Sequence, residues 1–119
     1  MNEHGKISYI EFPARDIELN KEFFTAVFGW SFKDYGPEYT VVTNAGVNAG
    51  FYKSEQSSSV DNGSVLIVIY CSELKQAQQK IKQAGGAIVK PTFSFPGGCR
   101  FHFTGLNGNE YAVWSEKDA

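Results

Sequence analysis

The residues of this sequence best suited to chemistry are two carboxylates, one guanidinium and one imidazole: Glu11, Glu110, Arg100 and His102. A guanidinium can hold an anionic or carbonyl oxygen through two parallel hydrogen bonds. A carboxylate and an imidazole, here Glu11 and His102, can move a proton next to such a carbonyl. The structural alternative is that Glu11 and Arg100 neutralise each other while His102 is a hydrogen-bonded filler. Both interpretations depend on the elements that carry these side chains.

Composition disfavours several other kinds of site. Cys71 and Cys99 stand apart from each other and from any Cys/His cluster, so we expect free thiols in a reducing compartment. The net charge is −2 without a run of Lys or Arg, which disfavours a nucleic-acid backbone or an acidic bilayer as partner. The first residues lack the apolar stretch of a signal peptide, and no window reaches the ~20 apolar residues of a membrane span. We therefore expect a cytoplasmic protein with neither nucleic-acid nor membrane partners.

A duplicated pattern positions the chemical residues. Residues 7–30 indicate a strand, a turn, a helix and a glycine exit, and residues 64–87 repeat this layout at a shift of 57 positions without a gap. Ile10 then aligns with Ile67, and Gly29 aligns with Gly86. Each copy is too small to cover its own sheet, so the two halves are expected to complete one core.

The first copy is predicted to run β-α-β-β-β. Alternating faces predict a strand over residues 6–12 that Pro13 ends, and Asp16 is a suitable N-cap for a helix over residues 17–28. Gly29 supplies the left-handed residue that commonly closes a helix. Three further strands are predicted over residues 30–35, 39–43 and 48–52. The polar segment 54–63 is interpreted as a linker whose loss of order would cost little.

The second copy repeats this order of elements. A strand over residues 64–70 precedes a helix that Ser72 is expected to cap. The apolar stripe of that helix consists of Leu74, Ala77, Ile81 and Ala84. A strand over residues 87–90 leads into PTFSFPGG, a predicted loop because its prolines disfavour regular pairing. A hairpin of residues 99–104 and 109–115, with Asn107 and Gly108 in its turn, brings the prediction to eight strands and two helices.

Three stretches of the chain resemble the vicinal oxygen chelate superfamily, which includes glyoxalase I, bleomycin-resistance proteins, fosfomycin-resistance enzymes and extradiol dioxygenases. They are ARDIELNKEFFTAVFGW, SELKQAQQKIKQAGGAIVKP and the closing GLNGNEYAVW. The resemblance implies an α+β fold of two tandem β-α-β-β-β modules, which form a curved mixed sheet around a cleft with the helices outside. It also implies a single domain over residues 1–119, with module one at about 5–54, a linker at about 55–63 and module two at about 64–116.

The period of two along each strand assigns side chains of the implied fold to the cleft. The apolar set that recurs in both copies is expected to face the helices, namely Ile10, Phe12, Ile67 and Ile69, and Phe101 and Phe103 are expected to join it. The opposite faces then line the cleft. The predicted ligand-binding residues are Tyr9, Leu66, Val68, Arg100, Glu110, Ala112 and Trp114. The predicted catalytic pair is Glu11 and His102.

The resemblance also locates the metal positions of metal-using relatives, which place a histidine on the first strand of each module and a glutamate near the end of each last strand. These positions fall at Tyr9, Leu66, Ala112 and about Gly50. Three of the four have no side-chain atom that could coordinate a metal, so we expect neither a metal nor another cofactor. The alternative is a metal at a relocated site built from Glu11, His102 or Glu110.

Three classes of function follow from the resemblance. The favoured one, similar to the bleomycin-resistance branch, is binding of a small organic molecule in the cleft without a metal. The second is an enzyme, either a glyoxalase-like lyase or isomerase, with or without a metal, or a dioxygenase-like member. The third is a non-catalytic dimeric sensor or interaction module. Relatives of this size usually form homodimers, and exposed sheet edges give a physical reason to expect one here.

Overall fold

The described part of the chain folds into two helices and eight strands. The computed structural model describes residues 3–116, so the outermost residues of the predicted 1–119 domain lie outside the described range. The first module contains β1 (Ile10–Ala14), α1 (Ile17–Phe28), β2 (Phe32–Asp34), β3 (Tyr39–Val42) and β4 (Ala49–Lys53). The second contains β5 (Ile67–Tyr70), α2 (Leu74–Gln83), β6 (Ala87–Phe95), β7 (Gly98–Thr104) and β8 (Glu110–Ser115). No helix among residues 3–116 is both long and apolar enough to cross a membrane.

Each module forms one four-stranded mixed sheet. The first sheet has the order β1-β4-β3-β2 and the second the order β5-β8-β7-β6, with β1 parallel to β4 and β5 parallel to β8. The two helices begin 57 residues apart, at Ile17 and Leu74, as the duplicated pattern requires. The predicted α+β class and its two β-α-β-β-β modules are therefore confirmed. In both sheets the first strand of the module lies at an edge.

The two helices begin differently. At α1 the Asp16 carboxylate accepts a hydrogen bond from the Leu19 amide at 3.0 Å, and Gly29 closes the helix at φ 71°, so both predicted caps are confirmed. The predicted Ser72 cap of α2 is wrong, because the N-cap residue is Glu73 and its side chain makes no capping bond. The Ser115 hydroxyl donates to the Ser72 carbonyl at 3.5 Å. This bond holds Ser72 beside β8, and the helix starts later.

One aromatic core joins the two modules. Phe24 of α1 stacks on Phe51 of the first sheet, with ring centroids 5.9 Å apart, and contacts Tyr111 of the second sheet at 5.2 Å. Phe23 stacks on Phe103 of the second sheet at 6.1 Å. Burial of one such ring contributes about 1.5–3 kcal/mol. Phe101 and Phe103 were predicted to face the helices, and this is confirmed, since both are fully buried in this core.

Two prolines that were predicted to interrupt strands lie inside them. Pro13 is paired with Tyr52 within β1, and Pro91 lies within β6, whose register against β7 shifts between Lys90 and Phe93. Both strands are edge strands, so each proline nitrogen, which carries no hydrogen, can point away from the neighbouring strand. The predicted end of the first strand at Pro13 and the predicted loop at PTFSFPGG are therefore wrong.

The polar segment between the modules is bonded to β8 through its backbone. The Glu110 amide donates to the Ser58 carbonyl at 2.8 Å, and the Val60 amide donates to Glu110 Oε1 at 3.0 Å. The Ser58 amide in turn donates to the Asn109 side chain at 2.8 Å. The segment is thus an ordered cover on the second sheet, which corrects the expectation that its order matters little.

Two asparagines of the final turn connect the modules. The Asn107 side chain accepts from the Asp16 amide at 2.9 Å and donates to the Asp16 carbonyl at 3.1 Å. The Asn109 side chain donates to the Pro13 carbonyl at 2.7 Å. Both asparagines are buried, so these bonds pair their side-chain amides as well as backbone groups of the first module.

Candidate functional site

A chain of two phenols and a carboxylate lies on the first sheet. The Tyr9 and Tyr39 hydroxyls are 2.6 Å apart, and the Tyr39 hydroxyl donates to Glu11 Oε2 at 3.0 Å. We call this set the phenol chain. Burial, followed by the bonds to Tyr9 and Glu11, raises the pKa of Tyr39, so its hydroxyl stays protonated at neutral pH.

Gly50 makes room for the phenol chain. It lies on β4 between β1 and β3, paired with Glu11 on one side and Val41 on the other. A Cβ at Gly50 would clash with the hydroxyls of both Tyr9 and Tyr39. The two phenols therefore occupy the space that a side chain at position 50 would need.

A second polar pair lies on the second sheet. His102 Nδ1 is 2.8 Å from Glu110 Oε2, and only 4% of His102 is exposed. Burial works against ionisation of Glu110, but the Val60 amide, His102 and Lys90 outweigh it and hold the pKa of the carboxyl below its usual value. A carboxylate at Nδ1 favours the tautomer with the hydrogen on that nitrogen. Nε2 of His102, buried and without a partner among residues 3–116, is then left as an acceptor.

Arg100 lies two residues before His102 on the same face of β7. Its guanidinium carbon is 5.3 Å from the ring centre of Phe93 and 6.0 Å from that of Phe95, and its Nε is buried without a partner among the described residues. A cavity of about 220 Å³ opens beside it, lined by Val68, Phe95, Arg100 and Trp114. We call this space the Arg100 cavity. The guanidinium of Arg100 contacts two aromatic rings and still has a hydrogen-bond donor available.

The remaining predicted site residues take different positions. Ala112 is fully buried on β8, paired with Val68 on one side and His102 on the other. Leu66 precedes β5 and is half-buried. The predicted pair of Glu11 and His102 is not hydrogen-bonded within the described chain, because each takes a different partner. The site residues thus form two groups, one on each sheet.

Three site residues were missed by sequence reasoning. Phe93 and Phe95 flank Arg100 but lie in the segment that was predicted as a loop, and Tyr39 completes the phenol chain. The alternation of Phe93 and Phe95 in TFSF is a period-two signal that could have placed them on one strand face. Tyr39 carried no such signal, because its role depends on the pairing of β3 with β4.

The edge strands β1 and β5 line a common groove, and an exposed apolar residue precedes each of them. Ile7, before β1, is 90% exposed, and Val65, before β5, is 81% exposed. The groove has a volume of about 810 Å³ and is lined by β1, the start of β5 and the linker. Exposed apolar side chains beside unpaired strand edges are typical of surfaces that another chain covers.

The sequence matches a known family model along most of its length. Residues 6–113 match the Glyoxalase/Bleomycin resistance protein/Dioxygenase superfamily. This chain belongs to that superfamily. No curated protein is similar enough in sequence to count as a match.

Several solved structures share the fold at low sequence identity. A hypothetical protein from S. aureus has a TM-score of 0.74 at 17% identity, over 95% of this chain and 99% of that one. The fosfomycin resistance protein FosX from Listeria monocytogenes, in its E126Q form, has a TM-score of 0.77 at 16% identity, over 93% and 90%. A glyoxalase-related enzyme from Fulvimarina pelagi has a TM-score of 0.75 at 15% identity, over 93% and 88%. These likenesses establish the fold alone.

The residues at the superfamily's metal positions do not fit a metal in this member. Leu66 and the fully buried Ala112 present only hydrocarbon, and the space next to Gly50 is taken by phenols. Among residues 3–116 no group of three or more His, Cys, Asp or Glu side chains comes together. The polar groups at this place are instead the hydroxyls of Tyr9 and Tyr39, which hydrogen-bond to each other.

Proposed function

We propose that this superfamily member binds a small organic anion, with Arg100 as the anchoring residue. The observation that carries the proposal is the buried Nε of Arg100, which has no partner among the described residues and belongs to a side chain that lines the Arg100 cavity. A buried donor left without a partner costs about 1–3 kcal/mol, and an anionic oxygen would remove that cost. Stacking of the guanidinium on Phe93 and Phe95 presents its remaining donors in a fixed plane.

The other predicted ligand-binding residues have complementary roles in this proposal. Val68 and Trp114 form the apolar walls that would accept the organic part of the ligand. Ala112, fully buried between Val68 and His102, would support the cavity from within the sheet. Tyr9, next to the first sheet, would contact the ligand from the other half of the cleft, and Leu66, which precedes β5, would contact it from the same half as Arg100.

The liganded form of one relative supports an anionic ligand. FosX from Listeria monocytogenes was crystallised with Mn(II) and 1S,2S-dihydroxypropylphosphonic acid, which is a small organic anion. The residues of the present chain do not fit a metal at the superfamily's positions, so the anion would be held here by a guanidinium.

Calorimetric titration with benzoate and phenylphosphonate tests the proposed anion site. The native chain is expected to bind at least one of these, and Arg100→Met is expected to weaken binding by about tenfold or more, since a charge-assisted hydrogen bond is worth about 1.5–3 kcal/mol. Arg15→Met is the matched control, because Arg15 is exposed and lies away from the cavity. Equal loss in both variants would mean that only net charge matters.

A second candidate is an enzyme that moves a proton next to the bound anion. The specific observation is the pair of His102 and Glu110, in which the carboxylate orients the ring and Nε2 is a buried acceptor. Glu11 would then act through the phenol chain and not as the direct partner of His102. Pyruvate in D₂O is a suitable probe, because its carboxylate suits Arg100 and its methyl hydrogens are acidic. Loss of the methyl NMR signal should be faster with native protein than with His102→Gln.

We further propose that the protein is a homodimer in the cytoplasm. The exposed apolar residues that precede the edge strands β1 and β5 support the dimer, since a second copy could cover Ile7 and Val65. Pairing of one copy's first sheet with its partner's second sheet would bring the phenol chain toward the Arg100 cavity. The free thiols of Cys71 and Cys99 are compatible with a reducing compartment.

A further inference from the structure

The phenol chain has a defined direction of hydrogen donation. A carboxylate only accepts, so the bond at 3.0 Å to Glu11 uses the single hydroxyl hydrogen of Tyr39. The contact of 2.6 Å between the two phenol oxygens must then use the hydrogen of Tyr9. Tyr9 therefore has lone pairs but no hydrogen left to offer to a third group.

Tyr9 is also the accessible end of this chain. It is 40% exposed, whereas Tyr39 is partly buried behind it. Gly50 has no side chain, so the sheet leaves space for the two hydroxyls, which a Cβ at this position would contact too closely. A molecule that reaches this part of the first sheet meets an oxygen that can only accept.

We propose that the phenol oxygen of Tyr9 is a ligand-binding acceptor that selects molecules with an O–H or N–H group over otherwise similar ethers. The site lies at Tyr9 and Gly50, two of the positions that correspond to the metal ligands of metal-using relatives. These positions do not fit a metal, and they provide a hydrogen-bond acceptor instead. An acceptor without a hydrogen faces the positive end of an O–H or N–H bond. Glu11 sets this polarity without touching the ligand and is therefore a positioning residue.

Benzyl alcohol and benzyl methyl ether are a suitable pair of neutral probes. They have the same ring and differ in whether the oxygen carries a hydrogen. Titrations of the ¹⁵N-labelled full chain, followed through the amide signals of β1 and β4, give the two affinities. The alcohol is expected to bind about tenfold more tightly than the ether, the upper range for one net hydrogen bond. Equal affinities, or no shift with either probe, would overturn the proposal.

Two variants separate selection from packing. Tyr9→Phe removes the acceptor and should reduce the affinity for the alcohol to that for the ether. Glu11→Gln keeps the shape of the side chain but can donate to Tyr39, which allows Tyr39 to donate to Tyr9 and Tyr9 to donate outward. The alcohol preference should then fall toward equality while circular dichroism stays native. An unchanged preference in either variant would contradict the proposal.

This inference extends the proposed cleft but has an independent outcome. Arg100→Met should weaken binding of benzoate by about tenfold or more and leave the preference for benzyl alcohol over its ether intact, because Arg100 lies on the second sheet. Loss of the preference in Arg100→Met would show that Tyr9 does not select on its own. Failure of benzoate binding in the native chain would refute the anion site while leaving the alcohol test valid.

Discussion

At the scale of single residues, two glycines beside the aromatic core differ in the space around them. A Cβ at Gly86 would lie 2.8 Å from Ile81 Cγ2 and 2.9 Å from both Phe23 Cε1 and the Thr104 carbonyl oxygen. A Cβ at Gly105 would meet nothing closer than 3.7 Å, also on Phe23. The first environment is closed by a helix, a ring and backbone, and none of these can move freely.

Gly86→Ala is expected to destabilise the protein, while Gly105→Ala is the matched control. Overpacking of a well-packed core costs about 1–3 kcal/mol, so the free energy of unfolding in urea should fall by that amount for Gly86→Ala. Gly105→Ala should change it by about 0.5 kcal/mol or less, as ordinary contacts are tolerated. Equal destabilisation by the two substitutions would contradict the packing seen around Gly86.

Single residues also mark how far the sequence could predict the site. Period-two alternation correctly separated buried Phe101 and Phe103 from Arg100 on the opposite face. It could not reveal that His102 pairs with Glu110 on the neighbouring strand, or that Glu11 pairs with Tyr39 across β4, because those partners lie on other strands. Alternation gives the face of a side chain, but only the strand register decides which side chains meet.

At the scale of elements, helices were easier to predict than strands with unusual residues. Asp16 and Gly29 cap the two ends of α1, and both caps depend only on local residue types that can be recognised in the sequence. Pro13 and Pro91 lie in strands because those strands are at sheet edges, and edge position is a property of the assembled sheet. The linker was misjudged for the same reason, since its partners Asn109 and Glu110 are distant in sequence.

Glu110 connects the linker to the second sheet, and its ionisation should make that connection sensitive to pH. The pKa of its carboxyl is lower in the folded chain than its ordinary value of 4.5. The resulting stabilisation is therefore present above pH 4.5 and is lost as the pH falls through the lowered pKa. Glu110→Gln should be less stable than the native chain at pH 7, and the difference should vanish in strong acid. A difference that persisted unchanged to low pH, in urea titrations, would rule out this electrostatic contribution.

At the scale of the whole molecule, the two sheets are separate and each has open edges, but they share one core. The core spans both modules, because α1 packs against rings from each sheet. Strand edges that remain unpaired are normally covered or protected by charge. The apolar residues Ile7 and Val65 provide no such protection.

Charges at the two edges are therefore expected to separate the proposed dimer. The double variant Ile7→Lys and Val65→Lys should sediment as a monomer at micromolar concentration, whereas the native chain should sediment as a dimer. Val89→Lys is the control, because Val89 is 50% exposed but belongs to β6 at the opposite edge of the second sheet. A native chain that sediments as a monomer at this concentration would remove the basis for a shared cleft.

The bonds made by Asn107 and Asn109 have a consequence for synthesis. Asn109 joins Pro13 across 96 positions and Asn107 joins Asp16 across 91, so the N-terminal module emerges from the ribosome long before these partners exist. Until the last hairpin arrives, the Pro13 carbonyl and the Asp16 amide depend on water, and the rings of α1 lack their contacts with Phe103 and Tyr111. The nascent first module should therefore remain only partly ordered until the hairpin of β7 and β8 has emerged and can pack against it.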